Sequence, residues 1–242
     1  MVNLPWLDPE HIAFPDTSDA LESPEGLLAA GGQLSTDWLL AAYQKGIFPW
    51  FSEGDPILWW SPSPRTIIHI NQLHISKSLR KTLNKKDFEV SINTAFSEVI
   101  DACAEPRPQQ GQEETWISHD INQAYQQLHH LGYAHSVEVW RGKELIGGLY
   151  GVALGRVFFG ESMFSFQPNG SKIALSYLVE HLKQWHYSFI DCQVHNDHLA
   201  SMGAVQVPRE VFEVLLNKHL NTQNVAHTID DNTPKHWQAG YL

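Results

Sequence analysis

The sequence predicts an α+β chain: a small N-terminal domain over residues 1–64, then a larger domain over residues 65–242 with a mixed β-sheet flanked by helices. Three observations predict it. After residue 65, strand and helix patterns alternate and then give way to a meander of three strands. The first 65 residues are instead rich in Pro, Gly and Trp. Between the two stands Ser61-Pro-Ser-Pro-Arg65, a rigid crossing.

In the N-terminal part, Leu27–Leu34 reads LLAAGGQL, and Ser35 follows as a cap for a helix over Thr36–Gln44. Gly46 stops that helix. Gly46–Trp60, GIFPWFSEGDPILWW, is an aromatic stretch broken by turn residues. Beyond the crossing, Thr66–Ile70 reads as a strand, Ser76–Leu83 as a short helix, Phe88–Ile92 as an alternating strand and Asn93–Ala104 as a helix. Glu105–Glu114 is a polar loop. Ser118 caps a helix whose apolar positions Ile121, Ala124, Tyr125, Leu128 and Leu131 recur at helical period, and Gly132 closes it. The meander comprises His135–Trp140, Leu145–Val152 and Val157–Glu161, turning at Arg141-Gly142-Lys143 and at Gly155. A long helix runs from Ser171 to about Trp185, a buried strand covers Phe189–Val194, and a helix led by Pro208 ends near Leu220. The polar tail, 221–242, is expected to be loose.

Composition narrows the class. Of 242 residues, 43% are hydrophobic and 11% aromatic, with only 18% charged, which supports a packed core and excludes a disordered chain. Two cysteines, Cys103 and Cys192, make neither a disulfide framework nor a Cys-based zinc site, and point to a reducing compartment. A basic stretch leading into an apolar run is missing at the N-terminus, and no long apolar run occurs elsewhere. The expectation is a cytoplasmic protein without a membrane span. The net charge of −11 argues against general nucleic-acid binding.

Four constellations stand out. Ser76–Lys86 holds Lys77, Arg80, Lys81, Lys85 and Lys86 and no acid. At helical spacing the first four share one arc, while Ile75, Leu79 and Leu83 lie opposite. The pattern fits a solvated helix face; on so acidic a chain it also fits a polyanion-binding stripe. Glu161-Ser-Met-Phe164 sets a carboxylate beside Met163, Phe158, Phe159 and Phe164. That is either a strand end against the core or an apolar pocket with an acid at its mouth. In Ile190-Asp-Cys-Gln-Val194, Asp191 and Gln193 are two apart and would share one strand face, with Ile190, Cys192 and Val194 turned into core. Two polar groups there are either hydrogen-bonded structure or a base-and-relay pair. Finally, His195-Asn-Asp-His198 and His129-His130 raise the question of metal, but HExxH and matching carboxylates are missing, so solvated or capping roles are expected. Gly147, Gly148, Gly151 and Gly155 sit in the meander without a P-loop Lys and read as turns and bulges.

The element order of the larger part resembles acyltransferases of the GNAT class. More specifically, GIFPWF (Gly46–Phe51), DPILWWSP (Asp55–Pro62), TWIS (Thr115–Ser118), HSVEVW (His135–Trp140), GGLYGVALG (Gly147–Gly155), GESMFS (Gly160–Ser165), IDCQV (Ile190–Val194) and ASMGA (Ala200–Ala204) resemble, in order, the bacterial leucyl/phenylalanyl-tRNA–protein transferases. The resemblance implies two domains, the second GNAT-like, and no coenzyme A; no metal or other cofactor is expected. It implies transfer of Leu, Phe and less readily Met from aminoacyl-tRNA to proteins beginning with Arg or Lys, marking them for N-end degradation. Carried over by position, it makes Asp191 and Gln193 the catalytic pair. It puts Trp50 and Trp116 beside the terminal adenosine of the tRNA. Phe158, Glu161, Met163 and Ile190 surround the aminoacyl group, and the stripe from Lys77 to Lys86 meets the tRNA stem. Two other classes stay in view: a coenzyme A-dependent N-acetyltransferase, and a non-catalytic tRNA- or peptide-binding module.

Overall fold

The computed structural model describes residues 4–106, 115–220 and 237–242. Residues before the Pro-rich crossing build a four-stranded sheet from β1 (Trp6–Leu7), β2 (Leu27–Gly31), β3 (Phe48–Pro49) and β4 (Leu58–Trp60), in the order β1-β2-β4-β3. LLAAG is therefore a strand, and all five of its residues are buried. Helix α1 (Thr36–Gln44) buries Trp38, Leu39, Ala42 and Tyr43, one stripe at helical spacing. Ser35 stands at its N-cap position but makes no side-chain cap bond. Phe14 meets Trp38 and Trp59 edge-on at 5.3 and 4.9 Å, and the Trp59 indole donates to the Gly31 carbonyl at 2.9 Å.

The rest of the chain builds an eight-stranded mixed sheet. In chain order its elements are β5 (Arg65–His69), α2 (Lys77–Lys85), β6 (Glu89–Ile92), α3 (Phe96–Ala104), α4 (His119–His130), β7 (Ala134–Arg141), β8 (Glu144–Leu154) and β9 (Val157–Ser165). There follow α5 (Gly170–Gln184), β10 (Phe189–Asp191), α6 (Asp197–Ser201), β11 (Val205–Val207), α7 (Arg209–Leu220) and β12 (Gly240–Tyr241). The strand order is β11-β5-β10-β9-β8-β7-β6-β12. All neighbours are antiparallel except β10 and β9, which run parallel. Two-residue turns close the β7–β8 and β8–β9 hairpins, each using a glycine at positive φ, Gly142 and Gly155.

Strand alternation sorts the core into two layers. Tyr150, Val152 and Leu154 of β8 join one apolar cluster with α1, α3, α4 and the N-terminal sheet. Ile146, Leu149 and Ala153 join the other, with α2 and α5. The first cluster thus runs continuously from the four-stranded sheet into the larger one. Gly147 makes the helix-to-sheet approach on the second face possible: a Cβ there would lie 2.4 Å from the Cα of Gly170, where α5 begins.

Several boundaries differ from expectation. Helix α3 starts at Phe96, because Asn93 takes positive φ and its side chain accepts the Ser136 N–H at 3.0 Å. Strand β9 continues beyond Glu161 to Ser165, paired to β8. Strand β10 stops at Asp191; Gln193 has φ 55° and Val194 is exposed, so the alternation expected over Phe189–Val194 fails after its third residue. The polar loop from 107 to 114 and the tail from 221 to 236 lie outside the described residues. The end of the tail is not loose: Trp237 is buried, and β12 adds to the sheet edge at β6. Among the described residues no helix is long and apolar enough to cross a membrane.

Candidate active site

A cavity of about 660 Å³ opens where β3 meets the ends of β8, β9 and β10. Its apolar end is made by Phe158 and Met163 of β9, Ile190 of β10, Leu149 of β8, and Leu175 and Leu178 of α5. Trp50 and Trp116 line it also; Trp50 is 43% exposed, and the Trp60 indole donates to its carbonyl at 2.6 Å. The six residues expected around an aminoacyl-adenosine, Trp50, Trp116, Phe158, Glu161, Met163 and Ile190, therefore share one cavity.

Glu161 is the acid in this wall. Its Oε2 accepts the Tyr125 hydroxyl at 2.9 Å, and that hydroxyl in turn bonds the Tyr43 hydroxyl. Its Oε1 is sealed from solvent and has no partner; neither has the buried Tyr150 hydroxyl, on another residue of the cavity wall. Burial pushes the Glu161 carboxyl up to about 7, against the Tyr43 and Tyr125 hydrogen bonds that favour its charged form. Burial, and then the Glu161 charge, hold all three tyrosines well above their ordinary range, so they stay protonated. Both unsatisfied polar atoms belong to residues of the cavity wall and lie just beneath its surface.

Asp191 lies behind the cavity rather than in it. It is fully buried, and Arg65 grips it with two parallel bonds, Nε to Oδ1 at 2.8 Å and Nη2 to Oδ2 at 2.7 Å. The guanidinium is itself 1% exposed and lies 4.8 and 4.6 Å from the ring centres of Phe48 and Phe212. Asp191 Oδ1 also accepts the backbone N–H of Gln193 at 3.0 Å, which holds Gln193 in its left-handed conformation. Gln193 does line the cavity. The two residues are thus joined through backbone and not by sharing a strand face. Between them Cys192 is buried, and desolvation pushes its thiol well up.

The five basic residues of the stripe, Lys77, Arg80, Lys81, Lys85 and Lys86, are all exposed, while Leu79 is buried and Leu83 half-buried beneath them. None makes an ion pair with another described residue. Their helix α2 rests against α5, where Asn169 reaches Thr82 at 3.5 Å, and α5 carries the cavity wall. Among the described residues no three His, Cys, Asp or Glu converge. His198 instead faces the cavity with a sealed, unpartnered Nε2, and burial together with Lys172 lowers its pKa and favours the neutral ring.

The family model described as leucyl/phenylalanyl-tRNA protein transferase matches residues 67–217, and its N-terminal domain model matches residues 32–63. The chain belongs to the leucyl/phenylalanyl-tRNA protein transferase family. Relatives carrying that name include one from Aromatoleum aromaticum, 56% identical over 86% of this chain and 87% of its own. One from Cellvibrio japonicus is 53% identical over 88% and 90%, and one from Chromobacterium violaceum 51% over 94% and 94%. Among solved structures, L-PGS from Bacillus licheniformis aligns at 12% identity and a TM-score of 0.38, over 70% of this chain and 54% of that one. For this member of the transferase family, sequence reasoning missed Arg65, Tyr43, Tyr125, Tyr150 and a cavity role for His198. Arg65 looked like the end of a linker, and Tyr125 like one more apolar position of a helix.

Proposed function

We propose that this chain transfers Leu, Phe and less readily Met from aminoacyl-tRNA to the N-terminal Arg or Lys of acceptor proteins in the cytoplasm, marking them for N-end degradation. The observation that carries the reading is the pair of partnerless atoms, Glu161 Oε1 and the Tyr150 hydroxyl, on residues that line the same cavity as the apolar Leu149, Phe158, Met163 and Ile190. An α-ammonium next to a Leu or Phe side chain supplies what those two atoms lack. Trp50 and Trp116 offer ring faces to the terminal adenosine, and the stripe on α2 offers charge to the tRNA backbone. The two sheets support the division into residues 1–64 and 65–242, and the order of elements in the second supports a GNAT-like domain.

The ester is already activated. The acceptor nitrogen attacks the ester carbonyl, a C–N bond forms, the C–O bond to ribose breaks, and the proton lost by the amine ends on the ribose oxygen. No metal or coenzyme A is needed for this balance. Gln193 is the catalytic-pair member that reaches substrate. Asp191, locked to Arg65, acts through it as a positioning residue, so orientation contributes more than proton transfer. The cavity's apolar end rejects small donors, at roughly 1–3 kcal/mol per missing methylene.

The test is transfer of labelled Leu from Leu-tRNA to a protein beginning with Arg, beside the same protein beginning with Ala. Label on the first alone supports the reading; label on neither, with Leu- and Phe-tRNA both supplied, overturns it. Replacing all five basic residues of the stripe by Ala should weaken tRNA binding and flatten its salt dependence by roughly four phosphates. An unchanged slope in a binding titration places the tRNA elsewhere.

A further inference from the structure

We infer that Trp237, at the C-terminal end of the chain, is a specificity-determining residue that fixes the depth of the donor side-chain pocket by backing Phe158. This rests on the reading of the cavity given above. Phe158 is a wall of the cavity, yet only 1% exposed, so what stands behind it decides how far it yields. Trp237 stands there. Its ring stacks on Phe158 at 5.7 Å and 22°, and on His135 at 4.1 Å and 10°. It belongs to the same apolar cluster as Phe158, Leu149, Leu175, Leu178 and Ile190, but does not itself touch the cavity.

The indole is held from several sides. Its Nε1–H donates to the Tyr187 hydroxyl at 3.0 Å, and Trp185 packs on it edge-on at 4.9 Å. The Trp237 carbonyl accepts from Asn93 Nδ2 at 2.7 Å. Three residues later β12 pairs with β6, and the Leu242 N–H donates to the Val90 carbonyl at 2.8 Å. The segment is thus fastened at both ends, and the ring between them has one orientation. Without the indole a void opens behind Phe158, and the surrounding side chains relax part-way into it. The pocket then deepens on the side where the donor's side chain lies, which favours the longer Phe over Leu.

The experiment is competition of Leu-tRNA and Phe-tRNA for one acceptor, with wild type, Trp237→Gly, Trp237→Gly with added indole, and Trp237→Phe. The ratio of products does not depend on how much enzyme is folded. We expect Trp237→Gly to shift the ratio toward Phe by about tenfold, indole to restore it, and Trp237→Phe to fall between. Transfer by Trp237→Gly at the wild-type ratio overturns the inference. If Trp237→Gly does not fold, Trp237→Phe decides: a shifted ratio supports the inference, and an unshifted one, with both donors slowed equally, makes Trp237 structural only. Wild type transferring neither amino acid would sink the reading of the cavity itself, and this inference with it.

Discussion

Arg65→Ala should lower the unfolding free energy by about 3–5 kcal/mol, because it strands a fully buried carboxylate. Asp191 has no solvent to turn to; the Gln193 N–H is the contact left to its Oδ1. The loss also removes a planar cation from between the rings of Phe48 and Phe212, so packing suffers with charge. Urea unfolding measures the effect. The double variant Arg65→Met, Asp191→Leu should recover much of the stability, since two matched apolar groups leave nothing unpaired. It should not recover transfer, because the carboxylate that holds Gln193 is gone. Equal stability losses in the single and double variants would mean that the pair's charge is not what matters.

Glu161→Gln should move stability and activity in opposite directions. The Glu161 carboxyl titrates near 4.5 when the chain is unfolded and about 7 when it is folded. Between those values the folded protein holds a proton that the unfolded chain has lost, so this group's contribution is full below pH 4.5 and falls away as pH rises through 7. The size of the loss is roughly 3 kcal/mol. Glutamine has no such proton and still accepts from Tyr125. Its stability relative to wild type should therefore climb between pH 4.5 and pH 8, read as a widening gap in melting temperature. Transfer at pH 8 should fall by about a hundredfold in kcat/KM, the cost of losing a charged hydrogen bond to the donor's ammonium. A melting gap that stays flat with pH would show that Glu161 is not a buried, neutral acid in the empty site.

The long elements of the fold were legible because their signals are local. Helix α4 shows its period in Ile121, Tyr125 and Leu128, and Ser118 caps it with a bond to Ile121 at 3.3 Å. The β7–β8–β9 meander shows its turns as Gly142 and Gly155. Strands of two or three residues, such as β1, β3 and β12, carry too few side chains to show a period. The site divides in the same way. Glu161 could be singled out, since an acid among Phe158, Met163 and Phe164 is locally anomalous. Gln193 could not be oriented, because its left-handed turn depends on a bond to Asp191 that sequence spacing cannot display. Arg65 and Trp237 are harder still: the ionic partner of Arg65 lies 126 residues away along the chain and the partners of Trp237 lie 50 or more away, and neither neighbourhood hints at them.

The central claim is that the cavity takes the aminoacyl end of a tRNA with its ammonium on Glu161. A crystal structure with adenosine carrying leucine through a non-hydrolysable 3′-amide tests it most directly. The expected result is the leucine side chain against Phe158, Met163 and Ile190, its ammonium on Glu161 Oε1 and the Tyr150 hydroxyl, and the adenine beside Trp50 and Trp116. Leucine in any other cleft, or an ammonium pointing away from Glu161, would contradict it.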